Sequence, residues 1–479
     1  MSDTASYTSA LATRYASPAM VSLWSDEHRA RLWRRLWLVL AEEEGRLGLD
    51  IPERALAEMR AHLDDVDLEQ ARAHERRLRH DVMAHIQHFG EQAPAARPYI
   101  HLGATSAYVT DNADLLVLRE VMKLLLGRLV AVLQGLRDFA WRHRELPTVA
   151  YTHFQPAQLT TVGKRATLWL QDFALDAEAL REALRTLPFR GCKGTTGTQA
   201  SFLELFGGDH AKVRELDARV AAAFEFAEPI PVSGQTYTRK IDSRVLDALA
   251  GIAQSGSKFA TDLRLLQHEG ELLEPAEAEQ VGSSAMPYKR NPMRAERVCG
   301  LARYLVSLRE NTAYTAATQW LERTLDDSAN RRLVLPEASL AADAILILAT
   351  NIVAGLEVRE DTIRRNVERM MPFMATERWL MLGVQAGGDR QALHEVIRRH
   401  SRAVSAELER GAPNDLLDRL ARDPGFARLD AAALRRELEP RRYVGRAPEQ
   451  VAEYLEGPLN DFLSSLSGFA VRDQAGVTV

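Results

Sequence analysis

Cysteine is nearly absent: Cys192 and Cys299 are the only two in 479 residues. Two cysteines cannot staple so long a chain. A disulfide framework is excluded, and a reducing cytoplasm is the expected setting. The first residues, MSDTASYTSALATRYASP, lack a basic start followed by an apolar run, so no signal peptide is expected. Long apolar runs are missing too. The nearest, Leu340–Leu356, carries Asp343 and Asn351, which suits a buried helix better than a membrane span. Positive charge is not in excess. The net charge is −5, with Lys and Arg spread along the chain, which argues against a nucleic-acid-binding surface. Neither an HExxH-type arrangement nor a GxxxxGK[ST] phosphate loop is present, which disfavours a metalloprotease and a nucleotide hydrolase. Strand signals are few; Pro188–Cys192 and Ile230–Ser233 read as short extended pieces.

What is present is helix. Hydrophobic residues make up 46% and charged residues 27%, ordinary for a soluble globular protein. The length implies several domains or subdomains. Asp111 is placed to cap a helix that runs to Trp141, apolar around most of its circumference. Similar patterns occur near Thr161–Leu187, Ser243–Leu273, Pro292–Trp320 and Pro336–Leu356. Five long helices predict an all-α protein with an extended central bundle, and such helices favour self-association over a monomer. Shorter helices are expected before and after, giving a division into residues 1–105, 106–358 and 359–479.

The densest chemistry lies in Gly282–Pro292, GSSAMPYKRNP. Glycine frees the entry of this segment, and its prolines restrict what it can sample. Lys289 can meet a carboxylate and Asn291 can hydrogen-bond one. A serine beside that charge, Ser283 or Ser284, can exchange a proton with a substrate. A segment of this kind suits closure over a small anion.

Other blocks supply partners. In HLGATSAYVTDN, Thr105 and Ser106 precede a long helix, where hydroxyls and free amides suit an anion; simple capping is the competing role. In THFQPAQ, His153 sits among polar neighbours, with Pro156 expected to fix a turn. Such a histidine is a general-acid candidate, although a lone histidine is more often structural. RRLRHDVMAHIQHF contains His80, His85 and His88. With no cysteine nearby, a metal site is disfavoured; Arg79, His80 and Asp81 read instead as an anion-contacting cluster, or as a solvated helical face. Gln235 in GQTYTRK, Arg297, and Arg323, Ser328 and Arg332 in LERTLDDSANRR complete the set. Arginine grips phosphate and carboxylate in a forked geometry, but a lone surface arginine more often forms an ion pair of little worth. GCKGTTGTQASF reads as a tight connection approaching the site. The acidic run Glu269–Gln280 reads as solvated surface.

Three of these blocks, GATSAYVTDN, THFQPAQ and GSSAMPYKRNP, resemble the three separated regions that mark the fumarase/aspartase superfamily. The third is the most specific. RYASP at Arg14–Pro18, RLRHDVMAH, KGTTGTQASF, GQTYTRK and ERTLDDSANRR resemble the branch that acts on succinylated purine nucleotides. Other members, such as argininosuccinate lyase, aspartase or fumarase, share the loop but do not predict RLRHDVMAH or ERTLDDSANRR. A helical assembly that had lost catalysis would be expected to lack His153, Ser283 or Lys289, and all three are present.

The resemblance covers nearly the whole chain and implies a three-domain, all-helical fold. It implies a homotetramer with a twenty-helix core and active sites shared among three subunits. The implied reaction is elimination of fumarate from adenylosuccinate, giving AMP, and from succinylaminoimidazole-carboxamide ribotide, without metal or organic cofactor. By the same resemblance Ser283 is the base and His153 the acid, and Lys289 and Asn291 stabilise the intermediate. Arg14, Tyr15, Arg79, His80, Asp81, Thr105, Ser106, Gln235, Arg297, Arg323, Ser328 and Arg332 contact substrate.

Overall fold

A computed structural model describes residues 7–277 and 285–469. Five long helices form its spine: α1 (Ser106–Arg142), α2 (Val162–Arg185), α3 (Lys240–His268), α4 (Met293–Thr318) and α5 (Asp326–Ala354). All five expected helices are there, with shifted ends. α1 starts at Ser106, so Asp111 does not cap it; Asp111 lies inside the helix, buried and paired with Arg239. α5 starts well before Pro336 and carries that proline within it.

α1 is buried on nearly every side, as its all-round apolar pattern requires. α2 turns straight back along it. A Cβ on Gly163 would lie 2.3 Å from the Ala140 carbonyl oxygen, so only glycine permits this approach. Thr161 caps α2 by accepting from the Lys164 amide at 3.1 Å, which satisfies one of the amides a helix start leaves unpaired.

Between α1 and α2 lies a hairpin absent from the sequence expectation. β1 (Pro147–Thr152) pairs antiparallel with β2 (Gln155–Thr161). Of the segments expected to be extended, Pro188–Cys192 supplies Phe189 to an isolated bridge with Pro229, which lies just before Ile230–Ser233. A second two-stranded ribbon, β3 (Leu272–Leu273) with β4 (Glu357–Val358), ties the end of α3 to the end of α5.

α1 and α5 run in the same direction. Asp111 and Asp114 of α1 reach residues bound to the first turns of α5, Arg128 pairs with Asp343 at mid-length, and Gly135 meets Val353 near both ends. α5 is long and apolar enough to cross a membrane, but it is largely buried. Asp343 is fully buried, accepting from Arg128 Nε at 3.1 Å and the Ser17 amide at 2.7 Å. The main core gathers the five helices with the N-terminal helices and residues 451–466. A smaller core around Trp379, Leu393 and Phe426 serves the late helices.

Candidate active site

The bundle has two chemically different ends. At the first, where α1 and α5 begin, the Leu68–Leu78 helix stops at Arg79 in the left-handed conformation (φ 56°) and the chain turns into the Asp81–Gln92 helix. His80 is the cap of that second helix: its Nδ1 accepts from the Met83 amide at 3.4 Å. With Nδ1 accepting, the ring proton sits on Nε2, which lies 3.4 Å from Ser106 Oγ. Asp81 Oδ1 is 3.6 Å from His80 Nδ1, and its Oδ2 accepts from Arg332 Nη2 at 2.5 Å. Burial acts to raise the Asp81 carboxyl, but the Val82 amide and the Arg332 guanidinium outweigh it and hold the group below its ordinary value. Thr105, at the cap position of α1, lies beside Ser106. One chain therefore brings together Arg79, His80, Asp81, Thr105, Ser106 and Arg332.

Gln235 adjoins this cluster. Its amide donates to the Glu322 carbonyl at 3.0 Å, and its side-chain nitrogen donates to the Thr195 carbonyl at 3.0 Å. Arg190, fully buried, donates from Nε to the Gln235 carbonyl at 2.9 Å. Asn112 of α1 holds the other side of this turn: its side chain accepts from the Gly191 amide at 3.1 Å and donates to the Gly191 carbonyl at 3.2 Å. Gly191 has φ +79°, and a Cβ there would lie 2.0 Å from Asp217 Oδ1. Arg323 donates to Asp327, and Ser328 and Arg332 follow on α5 one turn apart.

The second end carries the remaining candidates. His153 and Phe154 are the two central residues of the β1–β2 turn, with φ 53° and 55°. Both positive angles define a type I′ geometry, which Asn-Gly ordinarily fills. Non-glycine residues in this region cost about 1–2 kcal/mol each. Pro156 therefore does not fix a turn; it lies in β2 opposite Tyr151. Both His153 and Phe154 are exposed, Phe154 at 56%. Lys289 and Asn291 precede α4, and their neighbour Arg290 pairs with Glu357 of β4 at 3.0 Å. Gly282, Ser283 and Ser284 lie outside the described residues. Arg297, on the second turn of α4, stacks over the Tyr15 ring at 5.6 Å; Arg14 is exposed beside it.

Six of the seven positive-φ non-glycine residues described fall in the motif segments or beside Arg323: Arg79, His101, His153, Phe154, Gln199 and Leu321. Backbone strain concentrates at functional sites, and here it tracks the candidate chemistry.

The two ends do not meet within one chain. α1 has 37 residues, so it is about 55 Å long at 1.5 Å per residue. The hairpin spans roughly 20 Å. Even folded straight back, it would leave His153 about 35 Å from Ser106.

Several contributors were not evident from sequence. Glu271 and Glu274, in the supposedly solvated acidic run, are buried. Glu274 accepts from the Arg294 and Ala295 amides, both at 3.0 Å, and so caps α4 directly behind the Lys289 segment. Glu271 accepts from Thr148 and Asn366. The acidic run EGELLEPAEAEQ gave no hint of this, because capping at a distance leaves no local spacing. The three clustered histidines do not converge: His85 packs edge-on against Trp33, and His88 Nε2 accepts from the Asp67 amide.

Comparison with known proteins first defines the class. The fold matches a fumarate lyase from Mesorhizobium sp. BNC1 with a TM-score of 0.79 at 25% identity, covering 93% of this chain and 99% of that one. It also matches the 3-carboxy-cis,cis-muconate lactonizing enzyme of Pseudomonas putida, TM-score 0.81 at 24% identity, over 96% and 99% of the two chains. A lyase family model matches residues 52–306, and an adenylosuccinate lyase C-terminus model matches 372–454. The adenylosuccinate lyases of Schizosaccharomyces pombe and Saccharomyces cerevisiae are each 47% identical over the whole of both chains. That of Archaeoglobus fulgidus is 32% identical over 91% of this chain and 96% of its own. The chain belongs to the adenylosuccinate lyase family.

Proposed function

We propose that the chain eliminates fumarate from adenylosuccinate, giving AMP, and from succinylaminoimidazole-carboxamide ribotide, in purine biosynthesis. The observation that carries this is the 47% identity to two adenylosuccinate lyases over the full length of both chains. The division of residues at about 105 and 358 and a cytoplasmic setting belong to the same reading.

The bond broken is carbon–nitrogen, next to a carbon whose proton a carboxylate activates. Ser283 removes that proton. Serine is a weak base, so fixed positive charge is needed where the carbanion's charge spreads. Lys289 supplies it and Asn291 adds a hydrogen bond, and His153 protonates the leaving nitrogen. Arg332, Ser328, Arg323 and Gln235, with Thr105, Ser106 and the Arg79–Asp81 corner, bind the anionic ends of the substrate. Arg14, Tyr15 and Arg297 complete the binding groups.

Because the two ends are far apart in one chain, the site is assembled between copies. A homotetramer with antiparallel bundles sets the first end of one subunit beside the second end of others. Exposed apolar residues on the long helices support this: Leu168 and Leu175 on α2, Tyr304, Val306 and Tyr314 on α4, and Leu333 on α5. Such residues on otherwise buried helices mark interaction surface. The strained His153–Phe154 turn likewise calls for contacts beyond its own chain.

The test mixes purified protein with adenylosuccinate, and separately with argininosuccinate, and follows fumarate. Release from adenylosuccinate is expected. Release from argininosuccinate alone would overturn the assignment.

A further inference from the structure

Under the substrate-binding residues of the first end lies a buried charge network. Arg239 is closed by Asp111 and Asp327. Its Nη1 and Nη2 donate to Asp111 at 3.2 and 3.1 Å, and its Nε donates to Asp327 Oδ2 at 2.7 Å. Arg331 donates from Nε to Asp242 at 2.7 Å and from Nη2 to the Tyr237 hydroxyl at 2.5 Å, and pairs with Asp114 at 2.9 Å. Asp111, Arg239, Asp242, Asp327 and Arg331 are all buried.

The helix geometry of α5 links this network to the site. Asp327 and Arg331 are one turn apart and face inward. Ser328 and Arg332 follow each of them by one residue, also one turn apart, and are less buried. Anchoring the inner pair therefore sets the outer pair. Asp327 does more: its Oδ2 also accepts from Arg323 Nη1 at 3.3 Å, while its Oδ1 has no hydrogen-bond partner among the described residues. The two Nη groups of Arg239 go to Asp111, so Asp327 carries charge that Arg239 does not fully take up. Arg323 is the partly exposed cation that shares it.

We propose that Asp327 is a positioning residue that holds the Arg323 guanidinium in its substrate-binding orientation. It does so from below, without touching substrate. Preorganising a forked cation in this way lowers the cost of ordering it when the anion arrives. This inference rests on the lyase reading.

The test is a double-mutant cycle with fumarate release from adenylosuccinate as readout. The parent enzyme is measured first; its inactivity would sink the lyase reading, a result distinct from any outcome of the cycle. Asp327→Asn keeps the shape and removes the charge. It is expected to raise KM about tenfold, with a smaller effect on kcat. Arg323→Ala is expected to raise KM by at least about as much. The double variant should be within about twofold of Arg323→Ala, because the two act as one unit. Full additivity of the two KM effects would overturn the proposal. So would a loss of kcat and thermal stability with KM unchanged. If the Asn variant does not fold, the cycle runs with Asp327→Glu, which keeps the charge but displaces it. Non-additivity with Arg323→Ala is again expected, and additivity again overturns the proposal.

Discussion

The two ends of the bundle hold their candidate residues by opposite means. At the Ser106 end, the candidate binding residues rest on partners from their own chain. Arg332 is held by Asp81, Arg323 by Asp327, and Gln235 by Arg190 and the Glu322 carbonyl. At the other end, His153 stands exposed on a strained turn with no hydrogen-bond partner among the described residues. The difference teaches how the work is divided. On the proposed reading, the binding groups of the first end are preorganised within one chain, and the groups that move protons depend on neighbours that a single chain does not supply.

The largest expected effect separates the ends by activity. His153→Ala should lower turnover by about 10²–10⁴-fold while leaving thermal stability near that of the parent, since an exposed side chain is removed. Ser283→Ala should behave alike; full activity there, with Ser284→Ala inactive, would move the base to Ser284. Steady-state fumarate release and a melting curve on each variant check both. The opposite pattern is expected at the first end. Arg239→Ala leaves the Asp111 carboxylate buried without its ion-pair partner, held among the described residues only by the Tyr237 amide, and breaking a buried pair costs about 3–5 kcal/mol. Denaturant unfolding should show that loss, and a melting point equal to the parent's would contradict the framework role.

The smallest effect concerns a carboxyl that neither end uses. Glu44 is fully buried, and neither of its oxygens has a hydrogen-bond partner among the described residues. Burial raises its pKa to about 9. In the unfolded chain it would titrate near the ordinary glutamate value, about 4.3. The folded state thus keeps a proton that the unfolded state releases. This contribution to stability is full below the unfolded value and is lost as pH rises towards about 9. Glu44→Met should therefore stabilise by about 1–3 kcal/mol near neutral pH. It should also flatten the decline of melting temperature between acidic and alkaline buffers. An unchanged pH profile would show that Glu44 is not the titrating group.

The fold was legible where its signal was local. The long helices show as apolar patterns, and GSSAMPYKRNP stands out by composition. The hairpin was not legible, because QPAQ is polar and places a proline in a strand. Asp111 looked like a cap because it precedes an apolar run. Its partner, Arg239, is 128 residues away, and nothing near Asp111 announces it. Glu274 is hidden in the same way: it caps a helix that begins about twenty residues later. Resemblance named most of the candidate residues, but spacing alone did not reveal that they sit at opposite ends of one bundle.

The central claim is that one chain's first end works with another chain's His153. Chains carrying His153→Ala and chains carrying Arg332→Ala, each nearly inactive alone, are co-expressed so that mixed oligomers form. With free mixing, about one quarter of sites would draw an intact Arg332 and an intact His153 from different chains. The account predicts recovery of about that fraction of parent activity. Mixed oligomers no more active than either variant alone would contradict it.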